Sequence, residues 1–264
     1  MPLTALQHRI LALLASAPPR DRYLAGGAAL HFTPQSKRFS EDLDFFHDSE
    51  KRVAETFAAD RALLEESGYA IAVELSQPGF IRAVVSHNSD STRIDWAHDS
   101  AWRFMPLVAD PLGGLLLHPV DLAINKVLAL AGRDEARDYV DILHVHQTVL
   151  PLAGLVWAAV GKDPGLTPAS LLELLKRRGR PRPEEVDRLH LSEPFDSVHA
   201  KSVWLDALAD AERFIADRPA EEIGCLYYSS KAARFVLPNR APPLGEQGIV
   251  THFGTPGGVL PRVV

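Results

Sequence analysis

Cysteine is almost absent: Cys225 is the only one in 264 residues, which excludes an internal disulfide and fits a reducing compartment, so a cytoplasmic location is expected. An excess of positive charge is absent too. Lys and Arg total 28 against 34 Asp and Glu, a formal net charge of −6, which argues against a surface that is basic throughout and leaves room only for a local basic groove. Long clean apolar runs are also missing. Residues 112–130 are interrupted by His118, Pro119, Asp121 and Lys126, and the apolar N-terminal stretch by Gln7, His8 and Arg9. Both fall short of the roughly 20 apolar residues that a membrane span requires. No membrane association is expected, and the N-terminal stretch reads as an amphipathic first helix, not a signal peptide. No internal repeat is present.

Hydrophobic residues make up 46% and charged residues 23% of the chain, enough to build one large or two ordinary domains. Residues 23–25, Gly26-Gly27 and residues 28–32 read as strand, glycine turn and helix. A strand at 43–46 and a charged helix at about 49–66 follow. Residues 69–75 and 80–85 then read as strands around the turn signal Gln77-Pro78-Gly79, with another strand at 92–96. From Pro119 the pattern becomes helical, at 120–131, 136–148, 152–160, 168–178 and 199–217. Gly132 stands in a helix-stop position and Thr167 in an N-cap position. The chain is rich in Pro and Gly from about residue 222 and reads there as an irregular or hairpin-bearing tail. The expected fold is α+β: a mixed sheet flanked by helices in a domain 1–118, then a mainly helical domain 119–264.

The chemistry concentrates in two short stretches, Leu24-Ala25-Gly26-Gly27-Ala28-Ala29-Leu30 and Arg38-Phe39-Ser40-Glu41-Asp42-Leu43-Asp44-Phe45-Phe46. Carboxylates two residues apart in a strand emerge on one face, where they repel unless a cation is shared. Hard divalent cations, Mg²⁺ or Mn²⁺, suit such oxygen ligands. A glycine pair at a helix start leaves backbone N–H groups free for an anion such as phosphate. Together they suggest a nucleoside triphosphate site; an Asp-x-Asp alone would read as two exposed aspartates near a strand end.

Gly-Gly-x-Ala-Leu followed by Arg-x-Ser-x-Asp-Leu-Asp-Phe-Phe resembles the signature of the AbiEii/AbiGii toxin nucleotidyltransferases, within the DNA polymerase β-like superfamily. The resemblance implies that Gly26 and Gly27 lie beside the triphosphate, with Ser40 as a further nucleotide contact. It also implies that Asp42 and Asp44 bind Mg²⁺, with Asp95 as third carboxylate, metal ligand and activator of the attacking hydroxyl. Many relatives carry Thr or Ser after the glycine pair where this chain has Ala28, which leaves the phosphate to backbone groups. Without the resemblance, Asp95 reads as a strand-end partner of Arg93.

A second stretch is similar to the family's later motifs: Pro119-Val120-Asp121-Leu122-Ala123-Ile124-Asn125-Lys126, then Arg137-Asp138-Tyr139-Val140-Asp141-Ile142. By resemblance Lys126 contacts the triphosphate, Asp138 pairs with it or lines the site, and Asp141 is a weaker candidate; the alternative is an interhelical salt bridge. His144 and His146 are spaced wrongly for helical metal ligands, and Trp157 and Trp204 read as core. The cluster Lys176-Arg177-Arg178-Gly179-Arg180-Pro181-Arg182 suits a solvated helix C-terminus or an RNA backbone. The resemblance implies a toxin of a toxin–antitoxin or phage-defence system. Such a toxin moves NMP from NTP to an acceptor hydroxyl, most simply a tRNA 3′ end, and has a possible antitoxin partner. A protein or small-molecule acceptor, or a non-catalytic nucleotide-binding module, are the alternatives.

Overall fold

The computed structural model describes residues 3–17, 22–32 and 38–262. They form two compact units. The first holds residues up to 101, 107–118 and 190–193; the second holds 102–106, 119–189 and the chain from 194 onward.

In the first unit, α1 (Ala5–Ser16) starts at a capping box in which Thr4 and Gln7 satisfy each other's backbone N–H groups. β1 (Tyr23–Ala25) runs into α2 (Gly26–Leu30), and β2 (Asp42–His47) leads to α3 (Glu50–Glu66). Then come β3 (Ala70–Gln77), β4 (Phe80–His87) and β5 (Asp90–His98). A two-residue strand β6 (Trp102–Arg103) belongs to the second unit, and β7 (Val108–Asp110) and β8 (Gly114–Leu116) to the first. The seven strands form one mixed sheet in the order β3-β4-β5-β2-β1-β8-β7, with β2 parallel to β5 and β1 parallel to β8.

Strand alternation gives this sheet two unlike faces. Leu43 and Phe45, Ile81, Ala83 and Val85, and Ile94 and Trp96 are buried on one face. That face is covered by α1 and α3, which contribute Leu6, Ile10, Leu14, Val53 and Leu64. Even its polar group is paired: Asp60, fully buried on α3, accepts from Trp96 Nε1 at 3.0 Å and meets Arg22 at 3.0 Å. The other face carries Asp42 and Asp44 on β2 and Asp95 on β5.

In the second unit, α4 (Pro119–Gly132), α5 (Ala136–Thr148), α6 (Leu152–Lys162), α7 (Pro168–Arg178), the single-turn α8 (Pro183–Val186) and α9 (Ser197–Asp217) come first. Thr167 caps α7 with a capping box, and Gly132 is the last residue of α4. Trp157 and Trp204 are core, as their pattern implies. After residue 222 the chain is more ordered than its Pro and Gly content suggests. β9 (Leu226–Ser229), β10 (Arg234–Phe235), α10 (Leu244–Gln247) and β11 (Ile249–His252) give a three-stranded sheet, and β12 (Thr255–Pro256) pairs with β6. Cys225, Tyr227 and Ile249 pack with Trp157 in one buried cluster, so this tail has a core of its own.

The architecture is the α+β mixed sheet with a mainly helical second half that the sequence implies. Two differences stand out. β7 and β8 enlarge the expected five strands to seven; three residues each, they carry no periodicity to read. The helix after the glycine pair begins at Gly26 and not at Ala28, because a glycine with φ +62° makes the turn itself. Among the described residues, no single helix is long and apolar enough to cross a membrane.

Candidate functional site

β1 and β2 pair antiparallel with Ala25 opposite Asp44, so the turn that follows β1 lies directly against the Asp44 side chain. A Cβ at Gly26 would stand 1.8 Å from Asp44 Oδ2. A Cβ at Gly27 would stand 2.6 Å from Arg38 Nη2 and 3.0 Å from Ser40 Oγ. Gly26 is therefore required by close approach and by its positive φ, whereas a side chain at Gly27 would first have to displace the Arg38 guanidinium.

The parallel register of β2 and β5 puts Asp42 opposite Arg93 and Asp44 opposite Asp95, so three carboxylates share one sheet face. Asp42 and Asp95 are each only 6% exposed and Asp44 is half-buried, so Asp42 and Asp44 are not the exposed strand-end pair that an Asp-x-Asp alone would suggest. Buried carboxylates need partners. Arg93 Nη2 meets Asp42 Oδ2 at 3.1 Å. Arg82, on β4, grips Asp95 through two bonds, Nε to Oδ1 at 2.8 Å and Nη2 to Oδ2 at 2.6 Å. This bidentate geometry is among the stronger charge-assisted contacts. Asp95 is thus not the partner of Arg93; the parallel register gives Arg93 to Asp42 instead. The bond to Asp95 is the chief reason the Arg82 guanidinium is held above its ordinary range, with charges on Asp42 and Glu74 adding to it.

Ser40 is nearly buried, and its hydroxyl faces Asp42: it donates to the Asp42 carbonyl at 3.0 Å and lies 3.4 Å from Oδ1. The Ser40 carbonyl accepts in turn from Gln7 Nε2 at 3.1 Å, and the same amide reaches Thr92 Oγ1 on β5 at 3.2 Å. Gln7 thereby ties α1 to the strands bearing Asp42 and Asp95. Arg38 donates Nε to His31 Nε2 at 3.2 Å and Nη1 to the Phe39 carbonyl, which packs its guanidinium against Gly27. Arg82 and Gln7 escape a motif search. Arg82 does leave a signal, a lone charge among Phe80, Ile81, Ala83, Val84 and Val85 on one strand.

The remaining predicted residues lie in the second unit. Lys126, on α4, is 7% exposed and meets Asp138 Oδ1 at 3.2 Å and Asp141 Oδ2 at 2.8 Å, both aspartates fully buried on α5. Arg133 adds two bonds to Asp138, at 2.8 and 3.2 Å. Asp141, the weaker candidate by sequence, is the closer partner. Asp121 caps the backbone N–H groups of Phe104 and Met105 at 2.7 and 3.0 Å. Burial pushes its carboxyl up despite those two bonds. In the basic cluster, Lys176 pairs with Glu173 and Glu212, and Arg182 with Glu185. Carboxylates thus neutralise both ends of the cluster, which favours the solvated helix end. His146 Nδ1 accepts from the Leu152 N–H at 2.9 Å, a structural role.

The all-oxygen pair Asp42 and Asp44 suits a divalent cation that is completed by substrate phosphates and water. Among the described residues, no three His, Cys, Asp or Glu side chains come together as a full metal cage. Arg93 and Arg82 already pair with Asp42 and Asp95 on this face.

The model for a nucleotidyl transferase AbiEii toxin of type IV toxin–antitoxin systems matches residues 9–224. MenT4, a nucleotidyltransferase toxin of Mycobacterium tuberculosis, superposes with a TM-score of 0.54 at 18% identity, over 82% of this chain and 83% of that one. JHP933 of Helicobacter pylori superposes with a TM-score of 0.50 at 19% identity, over 81% and 94%. At these identities the likeness is one of fold. No curated protein matches the sequence.

Proposed function

The chain belongs to the AbiEii family of nucleotidyltransferase toxins, and from that premise we propose that it uses Mg²⁺ or Mn²⁺ to transfer NMP from an NTP to a tRNA 3′ hydroxyl. The observation that carries this reading is the trio Asp42, Asp44 and Asp95 on one sheet face, with the glycine turn against Asp44. Asp42 and Asp44 would hold the metal ion, with Asp95 as the third carboxylate. When bound, the ion would neutralise charge on the triphosphate and on the leaving group.

The protein's own groups would divide the remaining work. Gly26 and Gly27 would offer backbone N–H groups to phosphate, and Arg38, packed on Gly27, adds positive charge there. Ser40 acts through Asp42, whose carbonyl it bonds, and so positions a ligand. In the transfer, the acceptor oxygen bonds to the α-phosphorus as the bond to the bridging oxygen breaks. Pyrophosphate leaves with that electron pair, and the hydroxyl proton passes to Asp95, which loosens one of its two bonds to Arg82 to take it. By the family's pattern Lys126 is the proposed triphosphate contact; its ammonium is paired with Asp138 and Asp141. A cognate antitoxin is the expected protein partner, and the cytoplasm the expected location.

The test supplies each NTP labelled at its α-phosphate, with Mg²⁺, to the full chain together with total tRNA or with lysate protein. Label should enter tRNA, and Asp44→Asn should abolish transfer. Label in protein would reassign the acceptor. NTP binding with no transfer to any acceptor would leave a non-catalytic module.

A further inference from the structure

Strand order gives the candidate site a direction. The glycine turn follows β1, on one side of β2; on the other side come β5 with Asp95, then β4 with Arg82, then the edge strand β3. If phosphates lie at the glycine turn, an in-line nucleophile must approach the α-phosphorus from the side opposite the leaving pyrophosphate. That is the side of β5, β4 and β3. The outer part of this face is open. Phe80, Arg82 and Val84 on β4 are half-buried, and Leu75 on β3 is 43% exposed.

The Arg82 guanidinium lies over the Phe80 ring, 5.3 Å from its centroid. Aromatic rings and Arg guanidinium planes are what unpaired bases rest on in single-stranded RNA recognition. Arg93, its side chain 38% exposed, offers charge for a phosphate. The β3–β4 register slips between Val73 and Leu75, so Leu75, and not Glu74, is the registered partner of Arg82. This bulge continues the apolar surface beyond Phe80 and interrupts the regular ladder at the sheet edge. It blunts that edge against strand addition by an extended peptide.

We propose that the β4–β3 part of this face, built on Phe80, Arg82, Val84 and Leu75, seats the 3′-terminal nucleotides of a single-stranded RNA acceptor. This rests on the reading of the carboxylate face as a nucleotidyltransferase centre. Phe80 and the Arg82 guanidinium over its ring form one platform for a base, and Arg82 also holds Asp95 beside the incoming hydroxyl. Glu74, whose charge acts on Arg82, opposes the RNA backbone.

The experiment measures anisotropy of a short 5′-fluorescein oligoribonucleotide with a free 3′ hydroxyl on the full chain, alongside steady-state transfer to total tRNA. Phe80→Ala should raise both the RNA Kd and the KM for tRNA by about tenfold, within the range for losing one stacked base, and leave the KM for NTP unchanged. Glu74→Lys, on an exposed strand, should tighten RNA binding and steepen its salt dependence. Asp44→Asn should abolish transfer yet still bind the oligoribonucleotide. That separates the two readings: absent transfer by the wild-type chain overturns the function, while anisotropy still reports on the β4–β3 face. The seat is overturned if the wild-type chain does not bind the RNA. It is equally overturned if a folded Phe80→Ala and Glu74→Lys both bind it unchanged, or if label enters protein and Phe80→Ala leaves RNA binding untouched.

Discussion

Any residue other than glycine at position 26 would place its Cβ 1.8 Å from Oδ2 of Asp44. The turn and the carboxylate share one space, so the backbone of the first motif sets where the side chain of the second stands. Gly26→Ala must therefore displace Asp44 and also hold φ near +62°. The backbone conformation alone should cost about 1–2 kcal/mol. A displacement of about 1 Å at the carboxylate should lower transfer by about a hundredfold. Urea unfolding and label transfer read the two effects separately. Gly132→Ala is the control, since a Cβ there meets nothing within 4 Å; its stability should be unchanged or slightly higher.

The buried group of Lys126, Asp138 and Asp141 makes a second, separable prediction. Lys126→Met leaves Asp138 with Arg133 but takes the nearby cation from Asp141, and breaking such a pair should cost about 3–5 kcal/mol. Adding Asp141→Asn removes a buried charge that has lost its ammonium partner and should return part of that stability. If Lys126 also serves the triphosphate, the double variant regains its melting temperature without regaining transfer. Recovery of both would make the cluster purely structural.

The stretches most legible in sequence were those whose local pattern carries the physics. The spacing of Asp42 and Asp44 puts them on one face whatever the surrounding fold, and α7 announces itself through Thr167 and its helical apolar repeat. What stayed hidden depends on pairing between distant strands. Nothing local says that β2 and β5 run parallel, so Arg93 looked like the partner of Asp95 when the register gives it to Asp42. Arg82 finds Asp95 across a β4–β5 pair thirteen residues apart in sequence, and Gln7 reaches Thr92 across 85. Residues 222–262 looked irregular because their strands are short and their core, Trp157, lies on α6, far back in the chain.

Gln7 supports the site from behind. Its amide serves the Ser40 carbonyl and Thr92, and its Oε1 accepts from the Thr4 N–H in the cap of α1. Gln7→Leu keeps helix propensity and volume but strands the Ser40 carbonyl, which should cost about 1–3 kcal/mol. Because the loop bearing Ser40 loosens, transfer should fall more at low Mg²⁺ than at saturating Mg²⁺. A uniform loss at every Mg²⁺ concentration would show that Gln7 acts on stability alone.

Acid should weaken the fold through half-buried and buried histidines before the carboxylates dominate. Burial pushes the His118 imidazole down from 6.5 to about 4, and burial also lowers His146 and His252. Well above pH 6.5 His118 is neutral in both folded and unfolded chains and contributes no pH dependence. Below it the unfolded chain binds the proton first, so stability falls with pH through the window from 6.5 to about 4, where the folded chain takes up the proton too. His118→Gln removes this linkage and should flatten that part of the curve, so the difference in melting temperature between wild type and variant should change across the window. Carboxylate protonation acts on both proteins alike and cancels in the difference. Parallel curves from pH 7 to 4 would mean that His118 titrates in the folded chain as it does in the unfolded one.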